Sequence, residues 1–172
     1  DIDINAELKL SKTNNICGKV KGKKDKYVVI SAHYDHLGMM GNALFPGAND
    51  NASGVSLLLN LAKHYSKKNN KYKMVFICFG AEEVGLLGSK YFTDNPLIEL
   101  KKIKFLINLD IVGTGEEGIA IVNAINQPKQ AKRIGKFNTQ MNLFSKIKIR
   151  GQAPNSDHYW FSKKEVPAVF IY

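Results

Sequence analysis

Lys73-Met74-Val75-Phe76-Ile77-Cys78-Phe79-Gly80-Ala81-Glu82-Glu83 runs six apolar residues together, then two small ones, then two adjacent acids. An extended segment with one wet face would alternate apolar and polar residues. An unbroken run implies a strand covered on both faces, and helices are the usual cover. Working outward, residues 27–32 contain Tyr27-Val28-Val29-Ile30 and read as a second strand. Residues 15–21 read as a third, with a Lys-Lys-Asp turn between them. Between the strands at 27–32 and 73–80, Val55, Leu58, Leu59, Ala62 and Tyr65 recur at helical spacing, so a helix is expected from Ser53 to about Lys68. Ser53 is its candidate cap.

The alternation continues downstream. A short helix is expected at 86–92, a further piece starting at Pro96, and strands at 105–110 and 118–122. A helix at 128–137, a strand at 147–150, a helical turn at 157–162 and a final strand at 166–172 follow. Strands alternating with helices give an α/β fold: a three-layer α/β/α arrangement around a central mixed, mostly parallel sheet. No repeat or flexible linker divides the 172 residues, so one domain is expected.

Charge narrows the function classes. Lys+Arg number 25 against 15 Asp+Glu, a formal net charge of +10. That surplus first suggests nucleic acid. Yet only Arg133 and Arg150 are arginines, and bidentate reading of bases or phosphates favours arginine. No zinc-finger, helix-turn-helix or RNA-binding aromatic signature is present, so specific nucleic-acid binding is not expected. No run approaches the ~20 apolar residues of a membrane helix. Cys17 and Cys78 are too few for a disulfide framework and read equally as buried thiols or one bridge. Asp1 in place of a methionine fits removal of a leader, and a secreted or periplasmic location is the expectation.

In an open α/β sheet, ligands bind beyond the carboxyl ends of the strands. His33, Asp35 and His36 follow the strand at 27–32. Glu82 and Glu83 follow the one at 73–80, Asp110 ends another, and Asp50 precedes the first long helix. Acids crowded beside a buried strand repel one another and lose solvation unless a positive charge compensates. A divalent metal pair would offset them, and zinc accepts His nitrogen together with Asp or Glu oxygen.

Four blocks then carry a resemblance. They are Ser31-Ala32-His33-Tyr34-Asp35-His36-Leu37-Gly38, Gly47-Ala48-Asn49-Asp50-Asn51-Ala52-Ser53-Gly54, Gly80-Ala81-Glu82-Glu83-Val84-Gly85-Leu86-Leu87-Gly88-Ser89 and Asn108-Leu109-Asp110-Ile111-Val112-Gly113. In this order they resemble bacterial zinc-dependent aminopeptidases, the co-catalytic di-zinc exopeptidases related to glutaminyl cyclases. The resemblance spans roughly residues 15–172. It implies that His33 and Asp110 bind one zinc, that Asp50 bridges two, and that Glu83 binds the other. Glu82 would be the general base that takes the proton of a shared water, leaving the hydroxide that attacks, and Asp35 the carboxylate holding the other ring nitrogen of His33. It also implies a cis bond between Asp50 and Asn51, and a peptide as substrate.

The second zinc is then one ligand short. His158, in Asn155-Ser156-Asp157-His158-Tyr159-Trp160-Phe161, is the candidate from the residues alone. The resemblance instead places it in the substrate wall and puts the last ligand beyond the final strand. The chain is therefore expected to be a single, incomplete peptidase domain. His36 is expected as loop structure behind the ligands, and His64 as a helix-surface residue. Tyr34, Tyr159, Trp160 and Phe161 read equally as pocket lining or as packing, and residues 39–46 as a rim loop. The competing readings are a glutaminyl-peptide cyclase, a noncatalytic peptide-binding domain, and nonspecific nucleic-acid binding through lysines.

Overall fold

The computed structural model describes residues 10–172. Its strands are β1 (Ile16–Val20), β2 (Lys24–His33), β3 (Gly38–Met40), β4 (Ala43–Phe45), β5 (Tyr72–Phe79), β6 (Ile103–Leu109), β7 (Ile119–Val122), β8 (Ile147–Ile149) and β9 (Ala168–Ile171). The α-helices are α1 (Gly54–Ser66), α2 (Leu87–Asp94), α3 (Pro128–Met141) and α4 (His158–Lys163). Seven strands form one sheet in the order β1-β5-β2-β6-β9-β7-β8, while β3 and β4 make a separate hairpin. The pairs β5/β2, β2/β6, β6/β9 and β7/β8 are parallel; β1/β5 and β9/β7 are antiparallel.

The two faces of the sheet have separate cores, as the apolar run in β5 requires. On one face Val29, Val75, Ile77, Phe79 and Leu106 meet Phe92 of α2 and Phe161 of α4. Those three phenylalanine rings sit with centroids 5.8–6.1 Å apart, within the range where aromatic pairs attract. On the other face Ile30, Ala32, Met74 and Phe76 pack under Leu58 of α1. Farther along that face, Ala131 and Ile134 of α3 close over Ile121, Ile147 and Val169. The result is a three-layer α/β/α fold around a mixed, mostly parallel sheet.

Three local expectations change. The Lys-Lys-Asp turn does not join a hairpin: β5 inserts between β1 and β2, and β1 pairs antiparallel with β5. The piece expected at Pro96 is a single 3-10 turn at Leu100–Lys102. The rim loop contains the β3/β4 hairpin, with Met39 paired to Leu44. Of the aromatics that read equally as lining or packing, Phe161 is fully buried core.

The β1/β5 register also decides the cysteines. Cys17 lies opposite Ile77 and Cys78 opposite Ile16, so successive alternation points the two thiols to opposite faces. Both are free, and burial raises the pKa of each. The loop lysines gather at the amino ends of the parallel strands, where Asp25 pairs with Lys73 and Lys102 at 2.6 and 2.8 Å. That leaves the carboxyl ends to the acids.

Candidate metal centre

Three neighbouring strands deliver the cluster. β2 lies between β5 and β6, all three run parallel, and each ends at a residue of interest. His33 is the last residue of β2, the Gly80–Glu83 stretch leaves β5, and Asp110 directly follows β6. Asp50 arrives from the turn Ala48–Ser53 before α1. Its peptide bond to Asn51 is cis.

That turn is clasped to the end of β6 by side chains. Asn51 donates through Nδ2 to the Leu109 carbonyl at 3.0 Å, and its Oδ1 accepts from the N–H groups of Gly54 and Ile111 at 3.0 and 3.2 Å. Asn49 accepts from Gly113 N–H at 2.8 Å, and the Ser53 hydroxyl accepts from Val112 N–H at 3.0 Å. Ile111 is held at φ 57, a left-handed conformation unfavourable for a β-branched residue, and Ala81 beside Glu82 is at φ 57 as well. Residues kept in such conformations cluster where surrounding structure over-determines them.

His33 is at the centre. Its Nε2 lies 3.1 Å from Asp50 Oδ1 and 3.1 Å from Asp110 Oδ1, and the ring is almost fully buried. Nδ1 lies 3.1 Å from the Asp35 main-chain oxygen, and the Asp35 carboxylate is 3.8 Å away. The expected carboxylate grip on His33 is thus a carbonyl grip. The Asp35 carboxylate turns instead to the acidic pair, accepting from Glu82 N–H and Glu83 N–H at 3.1 Å each. His36 Nδ1 sits 2.7 Å from Glu83 Oε1, behind the cluster.

A buried relay that the sequence reading did not include backs Asp110. The Ser31 hydroxyl donates to Asn108 Oδ1, Asn108 Nδ2 donates to Ser156 Oγ, and Ser156 donates to Asp110 Oδ2, each at 2.7 Å. Ser31, Asn108 and Ser156 have no solvent exposure. A serine in one apolar strand and an asparagine in another were the signal, because buried polar groups need partners.

The charges are unbalanced. Burial pushes the Glu82 carboxyl up to about 8; Asp157, Asp110 and Glu83 add to this, and His33 opposes it. Asp50 is raised by burial and then by Asp110 and Glu83. Burial alone would lower the His33 imidazole, but its hydrogen bond to Asp110 and the surrounding acids carry it up to about 10. Asp157, fully buried, is lifted to about 7 by burial despite Ser89 and His33 nearby. Among the described residues its oxygens, both ring nitrogens of His158 and the Trp160 indole N–H have no hydrogen-bond partner. Without cations, this cluster keeps protons that carboxylates normally release.

The donor set fits metal. Ligand atoms of His33, Asp50 and Glu83 lie within 4.8 Å of one another, as do those of His33, Glu82 and Asp110. One nitrogen and several carboxylate oxygens suit zinc. His158 belongs to neither group. Its ring is buried against Phe170, with centroids 5.6 Å apart, and burial lowers its pKa to about 4, so it is neutral. His64 is exposed on α1, edge-on to Tyr65. Trp160 lies under Lys90, and the Tyr34 hydroxyl donates to the Asn14 carbonyl at 2.7 Å. Two clefts of about 160 and 220 Å³ lie elsewhere, beside Asn123 and Ser162 and on α3.

The chain is similar to several known proteins. The aminopeptidase YwaD of Bacillus subtilis is 41% identical over 109 residues, which cover 61% of this chain and 23% of that protein. An aminopeptidase of Pseudomonas aeruginosa is 35% identical over 112 residues, covering 64% and 20%. The matched stretch covers less than a quarter of the length of these relatives. The solved structure of BSAP, a zinc aminopeptidase from Bacillus subtilis, superposes with a TM-score of 0.75 at 31% identity, over 91% of this chain and 39% of that one. A glutaminyl cyclase of Porphyromonas gingivalis reaches a TM-score of 0.79 at 20% identity, a likeness of fold. Residues 15–172 match the profile of Peptidase family M28, and the chain belongs to that family.

Proposed function

We propose that this chain carries the metal-binding and catalytic part of a zinc-dependent aminopeptidase. The observation that carries the reading is the meeting of His33, Asp50 and Asp110 at 3.1 Å contacts, with Glu82 and Glu83 held beside them by one carboxylate. His33, Asp50 and Asp110 would hold one zinc, and Asp50 with Glu83 a second. Bound there, zinc supplies Lewis acidity, polarising the scissile carbonyl and making an attacking water more acidic.

The protein's own groups do the rest. Glu82 is hydrogen-bonded by neither His33 nor His36, and with cations compensating the charge that now raises it, its carboxylate would be ionised and free to take a proton from the attacking water. It then hands that proton to the departing amine. The N–H groups of Glu82 and Glu83 donate to the Asp35 carboxylate and fix the backbone there, which limits where the Glu82 carboxylate can reach. The relay behind Asp110 keeps that carboxylate's second oxygen occupied, leaving the first for the site. A free substrate α-amine, positively charged, would be drawn to the remaining carboxylate charge and confine cleavage to the first residue.

The test is hydrolysis of a panel of aminoacyl amides by the zinc-loaded protein, with N-acetylated versions alongside. Release of the first residue from free-amine substrates only is the expected result. Equal cleavage of acetylated substrates, or cyclisation of an N-terminal glutaminyl peptide without release, would contradict it. A secreted or periplasmic location stays part of this proposal, and fractionation of producing cells checks it. Among the described residues no helix is long and apolar enough to cross a membrane.

A further inference from the structure

Residues 118–156 contain no Asp or Glu and seven Lys or Arg, so this stretch alone carries +7 of the net +10. It includes both arginines of the chain. The stretch forms β7, α3 and β8, at one margin of the sheet. β8 stands three strands from β6, or about 14 Å at the usual strand spacing. The charge is therefore set apart from the metal centre.

On α3, Ala131 and Ile134 face the core, and helical spacing turns Lys129, Lys132, Arg133 and Lys136 outward. All four are exposed, and the helix has no acid and no fully buried residue. Among the described residues none of the four is in an ion pair, in contrast to Lys73, Lys90, Lys101, Lys102 and Lys164. Lys146 and Lys148 add two exposed cations alongside, whereas Arg150 is engaged with Tyr172. Of the flanking acids, Glu116 and Glu117 precede β7 and among the described residues pair with none of these cations, and Asp157 is fully buried.

Apolar side chains are exposed along the same helix and its end. Phe137, Met141 and Leu143 are 51%, 65% and 61% exposed, and the Arg133 guanidinium sits 5.7 Å over the Phe137 ring. The turn carrying Met141 and Leu143 is fixed. Asn138 accepts from Phe144 N–H at 2.8 Å and donates to the Phe144 carbonyl at 3.0 Å, while Asn142 caps the helix at φ 48. Cations facing outward beside a held row of large apolar groups match the chemistry of an anionic bilayer, with headgroups for the lysines and the acyl boundary for Phe, Met and Leu. Five lysines to one arginine suit point contacts with headgroups better than bidentate reading of a nucleic acid, which also has no use for Met141 or Leu143.

We propose that the outer face of α3, with the turn after it, docks the protein on an anionic phospholipid surface. This does not depend on the catalytic reading. The test is partition of the purified chain onto phosphatidylcholine vesicles with and without phosphatidylglycerol. Binding only to the anionic vesicles, falling with added salt, is expected. Lys132→Glu/Arg133→Glu/Lys136→Glu should lower it more than about tenfold. The same charge change in Lys23→Glu/Lys24→Glu/Lys26→Glu should leave most of it. Phe137→Ser/Met141→Ser should weaken partition severalfold with the salt dependence retained. All these positions are exposed, and an unchanged circular dichroism spectrum verifies folding. Equal partition onto neutral vesicles, or equal loss from the two charge reversals, would overturn the proposal. So would binding of duplex DNA or an acidic polypeptide with vesicle binding indifferent to Phe137 and Met141.

Discussion

At the scale of single residues, one carboxylate is asked to move a proton and another to hold it in place. Glu82→Gln removes the proton acceptor with little change in shape, and is expected to lower kcat by about 10²–10⁴-fold while zinc binding persists. Equal loss of zinc would make Glu82 a ligand instead, a reading that its grouping with His33 and Asp110 leaves open to test. Asp35→Ala strands two N–H groups of the Glu82-Glu83 turn. It should cost about 1–3 kcal/mol of stability and reduce kcat more than it raises KM, measured by denaturant unfolding and by steady-state rates. His33, Glu82, Glu83 and Asp110 stood out as candidates because the apolar pattern marks the strand ends they follow, while their separate roles rest on the family resemblance. What Asp35 grips was not, since a carbonyl and a carboxylate of the same residue stand within 1 Å of equal reach, and only folded geometry chooses between them.

At the scale of elements, the site depends on how closely the Asp50 turn lies against β6. A Cβ at Gly54 would stand 2.5 Å from the Leu109 carbonyl oxygen and also strike the Asn51 side chain, both parts of that clasp. Gly54→Ala should therefore destabilise the fold by about 1–3 kcal/mol and weaken zinc binding as well. Calorimetry with and without zinc separates the two effects. The strand pairing makes a second prediction. Because β1 and β5 turn Cys17 and Cys78 to opposite faces, thiol titration of the unfolded chain without reductant should count two free thiols. The apolar runs foretold β2, β5, β6 and both helical layers. They could not foretell that β5 inserts beside β1, since pairing order is set by crossover packing over α1 and not by any residue in the turn between β1 and β2. The Ser31–Asn108–Ser156 relay escaped for a related reason: its members are far apart in sequence and become neighbours only through strand order.

At the scale of the whole molecule, the cluster acts as a store of protons that metal should displace. Glu82 and Asp157 have folded pKa values of about 8 and 7, above their unfolded values, so the metal-free protein binds more protons folded than unfolded and loses stability as pH rises. His33, at about 10, contributes stability that is present below pH 6.5 and lost toward 10. His158, lowered to about 4, works in the opposite direction only below pH 6.5. Between pH 6.5 and 9 the signs agree: Tm of the metal-free chain should fall. Zinc should raise Tm most at the upper end, where it no longer competes with protons. A Tm that is flat or rising over that interval without metal would show that these groups do not hold their protons in the fold.

The most direct measurement is anomalous diffraction at the zinc edge from crystals of the zinc-loaded protein. A strong peak at bonding distance from His33 Nε2, Asp50 and Asp110, and a weaker one between Asp50 and Glu83, where a ligand is missing, with Glu82 unbound, is the predicted map. Zinc bound elsewhere, or a first peak coordinated by Glu82 in place of Asp50, would contradict the account.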